Sequence, residues 1–304
     1  MCGFAGYAGE REYDTSVIRK MTDKIRHRGP DSQDAFVEGK VGLGIIDLEG
    51  GSQPMFNEDK NLVLIFNGEL YNFQDIRKEL VEAGHVFTTH TDSEILLHGY
   101  EEWGKEGLLG RLRGMFAFVI FDRTKKTLFG ARDHFGIKPF YYYHKDGTFL
   151  FGSEIKSFLA HPDFQKELFE EKLPDFMTFG CIPGAETFFR NVYKLLPGHY
   201  FTYEEGRLTV STYWEPTFDI NENQTIESVA DKLDGVLEDS VDKHIIADVP
   251  VCSFLSSGVD SSYVAAIADV DKTFTVGFGT EERYNEIGWA KGFSEAIGKK
   301  NYNK

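Results

Sequence analysis

Apolar residues run in short unbroken blocks at 61–66 (NLVLIF), 115–121 (MFAFVIF) and 148–151 (TFLF), rich in β-branched and aromatic side chains. Such blocks predict buried strands. Asp146-Gly147, directly before the last block, predicts a hairpin turn, because both residues tolerate the left-handed backbone of a two-residue loop. Elsewhere the spacing turns helical. Asn72 is placed to cap a helix whose apolar positions are Phe73, Ile76, Leu80 and Val81 and which stops near Gly84. A second helix is expected from Asp92 or Ser93, carrying Ile95, Leu96 and Tyr100. Sheets flanked by helices over about 200 residues imply a layered α+β domain at 2–213.

The pattern changes at 219–225 (DINENQT), which is polar and reads as a linker. Beyond it come a helix at 226–245, a strand at 249–255, a glycine-containing loop, a helix at 259–268 and a strand at 273–277. That succession is the opening of a parallel α/β domain, at 226–304. A doubly wound sheet normally needs several more units.

Composition adds that the chain folds: among 304 residues, 41% are hydrophobic and 14% aromatic, with 27 Phe and 14 Tyr. The 33 Lys and Arg against 49 Asp and Glu give a net charge of -16, which argues against a nucleic-acid or anionic-membrane partner. A small anionic substrate would instead be held by local positive groups or helix N-termini. No apolar run is long enough for a bilayer, and the first residues lack a secretory pattern, so the expected location is cytoplasmic.

The three cysteines, Cys2, Cys181 and Cys252, are too few and too far apart for a disulfide framework or a zinc cluster, and no metal-ligand set is assigned. Cys2 stands apart because it directly follows Met1. Once the methionine is removed, a thiol and a free α-amino group share one residue, and the amine can serve as general base. On position alone, a buried small residue on a first strand is the other reading.

The order Cys2-Gly3, Arg28-Gly29-Pro30-Asp31, Asn67-Gly68-Glu69-Leu70-Tyr71-Asn72 and Thr91-Asp92-Ser93-Glu94 resembles the glutaminase domain of class II glutamine amidotransferases. The segments 132–139 (RDHFGIKP), 152–156 (GSEIK) and 196–199 (LPGH) extend the likeness through nearly the whole first domain. The resemblance implies a four-layer αββα N-terminal-nucleophile fold with Cys2 as nucleophile. Amide hydrolysis passes through an oxyanion, for which the Asn67 side-chain amide and the Gly68 N–H would be donors. Glu69 and Asp92 would hold the α-ammonium of glutamine. Taken singly, Asn67-Gly68 also reads as a hairpin turn and Asp92 as a helix cap. Arg28 to Asp31 and Arg132 to Lys138 are read as loop-holding residues.

One departure concerns the substrate carboxylate. Family members carry an arginine-bearing insert just before Ile-Ile-Asp, whereas here Leu43-Gly44 runs directly into Ile45-Ile46-Asp47. Either Arg26 or Arg28 substitutes, or glutamine recognition is weakened by a few kcal/mol through the lost charge-assisted pair.

In the second domain, Ser256-Ser257-Gly258-Val259-Asp260-Ser261-Ser262 joins a strand to a helix. Hydroxyls and successive N–H groups at a helix start can cradle phosphate, and an ordinary helix cap is the alternative. It is not a Walker loop. It is similar to the S-G-G-x-D-S pyrophosphate loop of ATP pyrophosphatases, with Ser257 in place of the middle glycine, so the second domain is expected to be an incomplete α/β domain of that type. The domain order, together with 248–255 and 273–278, resembles the glutamine-hydrolysing asparagine synthetase family.

The resemblance implies that Leu255 and Val276 line an adenine pocket, Ser256, Ser257, Gly258, Val259, Asp260, Ser261 and Ser262 hold the phosphates of ATP, and Asp260 helps place Mg²⁺. Aspartate would become β-aspartyl-AMP, and ammonia would displace AMP to give asparagine. The implied partners are glutamine, ATP and aspartate, and a homodimer is left open. The family continues for several hundred residues beyond the point matching Lys304, so this chain is expected to perform at most the glutaminase half. The competing expectations are a catalytically silent remnant acting as a binding module, and a general amide hydrolase indifferent to the α-groups of its substrate.

Overall fold

The computed structural model describes residues 2–47, 53–221, 223–246, 249–278 and 285–304. They fall into two compact units, Met1–Thr217 and Phe218–Lys304.

The first unit begins with β1 (Gly3–Ala8), wholly buried, and α1 (Thr15–Asp23), whose cap Asp14 accepts the N–H of Ser16 at 2.7 Å. Next come β2 (Ser32–Glu38), β3 (Val41–Asp47), β4 (Met55–Phe56) and β5 (Leu62–Leu70), then α2 (Phe73–Glu82) and α3 (Glu94–Leu109), the latter interrupted at Gly104. The strands β6 (Gly114–Asp122), β7 (Thr127–Arg132), β8 (Tyr141–Lys145) and β9 (Thr148–Gly152) follow. The unit ends with the short α4 (Leu173–Phe179), β10 (Val192–Lys194), β11 (His199–Glu204) and β12 (Arg207–Thr212).

These strands form two six-stranded sheets, in the orders β10-β8-β9-β1-β3-β2 and β12-β11-β7-β6-β5-β4. Period-two alternation sends Phe4, Leu43 and Ile45 of the first sheet and Val63, Ile65, Ala117 and Val119 of the second into one shared apolar layer. The opposite faces are covered by helices. Ala5 and Tyr7 pack on Val17, Ile18 and Met21 of α1, while Leu64, Phe66 and Phe118 pack on α2 and α3 through Ile76, Leu80, Ile95 and Leu96. The result is helix, sheet, sheet, helix: a four-layer αββα arrangement.

Several expectations need adjustment. Asn72 precedes α2, yet its side chain does not cap it; Nδ2 donates to Arg111 O and Oδ1 accepts from Arg113 N, which ties the helix start to the loop before β6. Val81 is 53% exposed and lies off the apolar face. Asn67-Gly68 forms no turn, because β5 continues through both residues to Leu70 in register with β6. Long apolar strands pairing on both sides of the dipeptide outweigh its turn preference. Asp146-Gly147 does make the β8–β9 turn, with φ of +48° and +73°.

The second unit holds α5 (Ile226–His244), capped by Thr225, then β13 (Ser253–Phe254), α6 (Val259–Ile267), β14 (Lys272–Thr275), α7 (Ile287–Ala296) and β15 (Lys300–Asn303). β13, β14 and β15 pair in parallel. The strand expected at 249–255 shrinks to Ser253–Phe254, which pair with β14, with Leu255 N donating to Phe274 O at 2.8 Å just beyond them, while Val249 is exposed. Asp248, the first residue of that resembling segment, lies outside the described residues. No described helix is long and apolar enough to cross a membrane.

Candidate active site

Alternation decides where the candidate residues point. Cys2 precedes β1 and shares the parity of Phe4, Asp47 shares that of Leu43 and Ile45, and Asn67 and Glu69 share that of Val63 and Ile65. All four belong to the face that meets the other sheet. Gly3 lies opposite Ile46, so Cys2 and the end of β3 coincide, and the Cys2 thiol donates to Asp47 Oδ1.

A frame holds Cys2 in place. Ser153, fully buried, accepts the N–H of Phe4 at 3.1 Å and donates its own N–H to Phe4 O at 2.9 Å. Arg28 Nε donates to Cys2 O at 3.1 Å, and Nη1 reaches Glu154 Oε1 at 3.2 Å. Glu154 also meets Lys156 at 3.0 Å and His27 at 2.8 Å; against the desolvation that raises it, the hydrogen bonds from Lys156, Arg28 and His27 hold its carboxyl below the usual range. Gly29 runs so close to β3 that a Cβ there would stand 2.7 Å from Asp47 N. Arg28-Gly29 and Ser153-Glu154 thus converge on one backbone position.

On the second sheet, Phe116 gives its N–H to Asp133 Oδ2 and takes the Asp133 N–H on its carbonyl, both on the side away from β5. Its partner Gly68 is therefore a non-hydrogen-bonded pair, and the Gly68 N–H points off the ladder with β6. The N–H groups of Phe66 and Leu70 point the same way. Gln53 Oε1 accepts the first at 2.6 Å, and Asp92 Oδ2 accepts the second at 2.8 Å. Gly68 stands between them, and a Cβ there would lie 2.3 Å from Met115 O. Asn67 is 1% exposed, and among the described residues its Nδ2 has no hydrogen-bond partner. A buried amide donor with nothing to donate to is costly unless a ligand supplies the acceptor.

Asp92 does not cap α3 with its side chain but reaches back to β5. Burial, with the neighbouring Glu69 carboxylate adding to it, pushes its carboxyl up to about 7, against the Leu70 hydrogen bond. Lys138 brings the two halves together electrostatically. Burial holds its ammonium below the ordinary value, with Arg28 acting the same way, while Cys2, Asp133 and Glu69 pull it upward. Its loop is shaped by Asp133, which accepts the N–H groups of Phe135, Ile137 and Lys138, and by Arg132, whose guanidinium donates to the carbonyls of Gly136, Lys138 and Leu195. Asp47 and Gln53 have no assigned role in the sequence, and Lys138 reads there only as holding its loop.

The two arginines weighed for the substrate carboxylate differ. The Arg26 side chain is 63% exposed, 4.0 Å from Asp23, whereas that of Arg28 is largely buried. β3 itself is unbroken from Val41 to Asp47, paired with β1 and β2 throughout.

In the second unit the serine loop folds on itself. The Ser256 and Ser261 hydroxyls lie 2.8 Å apart, Gly258 N donates to Ser256 Oγ at 3.1 Å, and Ser257 Oγ donates to Glu286 Oε1 at 2.8 Å. Gly258 caps α6 by position only, without a side chain, so an ordinary side-chain cap is not what the loop provides. Val259 and Asp260 open the helix and Ser262 N donates to Gly258 O. Leu255 is buried, and Val276 is 55% exposed.

An αββα sandwich with a cysteine at the head of an interior strand and a buried amide donor on the facing sheet is the setting in which the likenesses to known proteins fall. A family model described as a glutamine amidotransferase domain matches residues 1–214, and the chain belongs to that family. An asparagine synthase family model matches residues 232–303.

Named relatives narrow the likeness. The chain is 39% identical to glutamine-hydrolyzing asparagine synthetase 1 of Bacillus subtilis (strain 168), covering 100% of this chain and 50% of the relative. It is 38% identical to synthetase 3 of the same organism, with 88% and 45% covered. The chain thus spans about half the length of these curated relatives. Among solved structures, the glutamine phosphoribosylpyrophosphate amidotransferase from B. subtilis aligns with a TM-score of 0.51 at 18% identity, over 99% of this chain and 65% of that one. A structure titled the allosteric regulatory enzyme of purine biosynthesis aligns at 0.53 and 16%, over 100% and 80%. At those identities the likeness concerns the fold.

Proposed function

We propose that residues 2–213 hydrolyse the side-chain amide of glutamine, with Cys2 as nucleophile, as the glutaminase half of a glutamine-hydrolysing asparagine synthetase. The observation that carries this reading is the buried, unpartnered Nδ2 of Asn67 beside an outward-facing Gly68 N–H. With Met1 removed, the Cys2 α-amine takes the thiol proton, directly or through water, and sulfur attacks the amide carbon. Asn67 Nδ2 and Gly68 N–H receive the oxyanion. As it collapses, the carbon–nitrogen bond breaks and the proton leaves with ammonia; water then cleaves the thioester to glutamate and regenerates the thiol. Glu69 and Asp92 take the α-ammonium, and Lys138 is the cation we assign to the α-carboxylate in place of the missing insert.

For the second unit we propose the opening of an ATP-dependent ligase module. Hydroxyls and the start of α6 suit phosphate, so Ser256 to Ser262 would hold the phosphates of ATP, with Leu255 and Val276 against the adenine. Asp260 would hold Mg²⁺, which supplies charge neutralisation. Aspartate amidation with AMP and pyrophosphate as products belongs, on this reading, to a protein of the relatives' length. Its substrates are cytoplasmic metabolites, and we place it there.

The test is direct. Mass spectrometry should find Met1 removed, and the purified chain should convert glutamine to glutamate and ammonia with saturation. Cys2→Ala should abolish the turnover, and a glutamine-like electrophile should label the wild type at Cys2 alone. An unchanged rate in Cys2→Ala overturns the proposal. The silent-module reading is motivated by the unbroken β3, which leaves no place for the family's arginine; saturable hydrolysis overturns it. Equal turnover of amides lacking α-groups would favour the general hydrolase instead.

A further inference from the structure

On the helical face of the second sheet, α2 ends at Gly84 (φ +103°), whose unusual backbone sends the His85 N–H back to Leu80 O at 2.9 Å. This turn aims the His85 ring at α3, where His98 and Glu101 lie three residues apart on one face. His85, His98 and Glu101 form a cluster able to offer one ligand atom each to a common point. The two Nδ1 atoms are 3.2 Å apart, and Glu101 Oε2 lies 3.5 Å from His98 Nδ1 and 4.0 Å from His85 Nδ1. A tetrahedron with metal bonds of roughly 2.0–2.2 Å has edges of roughly 3.3–3.6 Å. The triangle therefore needs only small closure at one edge.

The outer atoms point the same way. His85 Nε2 faces Glu102 Oε2 at 3.2 Å, and His98 Nε2 faces Glu94 Oε1 at 3.6 Å. These carboxylates can hold a proton at each Nε2, the tautomer in which both Nδ1 atoms can ligate. The other oxygen of Glu101 is held by Asn57 Nδ2 at 2.7 Å, and Glu94 is held by Thr88 and Thr89, so both carboxylates are oriented. Glu58 Oε1 lies 3.6 Å from His98 Nδ1, at the edge of the cluster. A shared proton serves two of these atoms; three gathered within one coordination span suit a metal. Imidazole ligands select a first-row ion rather than Mg²⁺ or Ca²⁺.

We propose that His85, His98 and Glu101 bind one divalent ion of the Zn²⁺ class, with Glu58 or water completing the tetrahedron, as a clasp between the end of α2 and α3.

The experiment uses the full chain carrying Cys2→Ala, which removes the thiol at position 2 from competition. After chelation, Co²⁺ is added and its visible absorption followed, with Zn²⁺ as displacer and melting temperature as a second readout. The expected result is about one equivalent with the intense spectrum of a tetrahedral ion, displaced by Zn²⁺, and a raised melting temperature. His85→Gln and Glu101→Gln, at partly exposed positions, should fold by circular dichroism and weaken Co²⁺ by at least about tenfold. No tetrahedral spectrum, or a His85→Gln variant binding as tightly as its parent, overturns the proposal. So does nitrogen-15 NMR in which both rings titrate identically with and without Zn²⁺, the behaviour of a shared proton.

Discussion

The Nε of Arg28 donates to the carbonyl oxygen of Cys2 at 3.1 Å, so the residue proposed as nucleophile is anchored by a side chain that is itself clamped on Glu154. A lysine can keep the charge but not both bonds. Arg28→Lys should therefore lower kcat for glutamine hydrolysis by about 10- to 100-fold through misplacement of Cys2, with KM nearly unchanged. Lys138→Met should do the reverse, raising KM while kcat changes little. Steady-state kinetics of the two variants separates positioning from substrate binding, and a raised KM in Arg28→Lys would move the carboxylate assignment to Arg28.

Asn67→Ala removes the side-chain donor that the proposed mechanism assigns to the oxyanion. Loss of such a donor lowers kcat by about 10²–10³. Because the native Nδ2 has no partner among the described residues, the variant should gain or keep stability, so the two losses seen at most buried polar sites come apart. Paired kinetics and urea denaturation check this.

Asp92 carries the pH dependence. Its carboxyl is raised from 3.8 to about 7, so its contribution to folding is fully present below about pH 3.8 and is lost as the pH rises through about 7. Asp92→Asn keeps an oxygen for the Leu70 N–H and no longer ionises. Relative to wild type, the variant should gain roughly 2–4 kcal/mol between acid pH and pH 8, read by denaturation at several pH values. Catalysis should move oppositely: wild-type KM for glutamine falls as pH rises through about 7, when the carboxylate can meet the α-ammonium, and the variant's KM stays high at all pH values.

Gly68→Ala tests space. The added methyl would meet Met115 O at 2.3 Å, a backbone atom inside the ladder, so β5 and β6 must part. The expected cost is about 2–3 kcal/mol or more, visible as a lowered melting temperature together with lost hydrolysis.

What was legible in the sequence follows from how local each signal is. The apolar blocks around Leu64, Val119 and Leu150 announced strands because burial on both faces needs no other information. Asn67-Gly68 was legible as chemistry but not as conformation, since only pairing with Ala117 and Phe116 keeps the dipeptide extended. Asp92 was similar: a cap by position, it became a bridge to Leu70 because β5 ends beside the start of α3. His85 and His98 were invisible as a pair. Their meeting depends on a left-handed turn at Gly84 and on how two helices lie on one sheet, which no single window of sequence contains.

β1 has β3 along one edge and β9 with Ser153 along the other, and every residue from Gly3 to Ala8 is buried. Cys2 is thus attached by one peptide link to a strand whose amides should exchange with solvent only when the sheet itself opens. The Cys2 sulfur hangs at the margin of the slowest-breathing part of the unit, so its reach is set by its own side-chain rotation, and an extension joined ahead of it would have no slack with which to move aside.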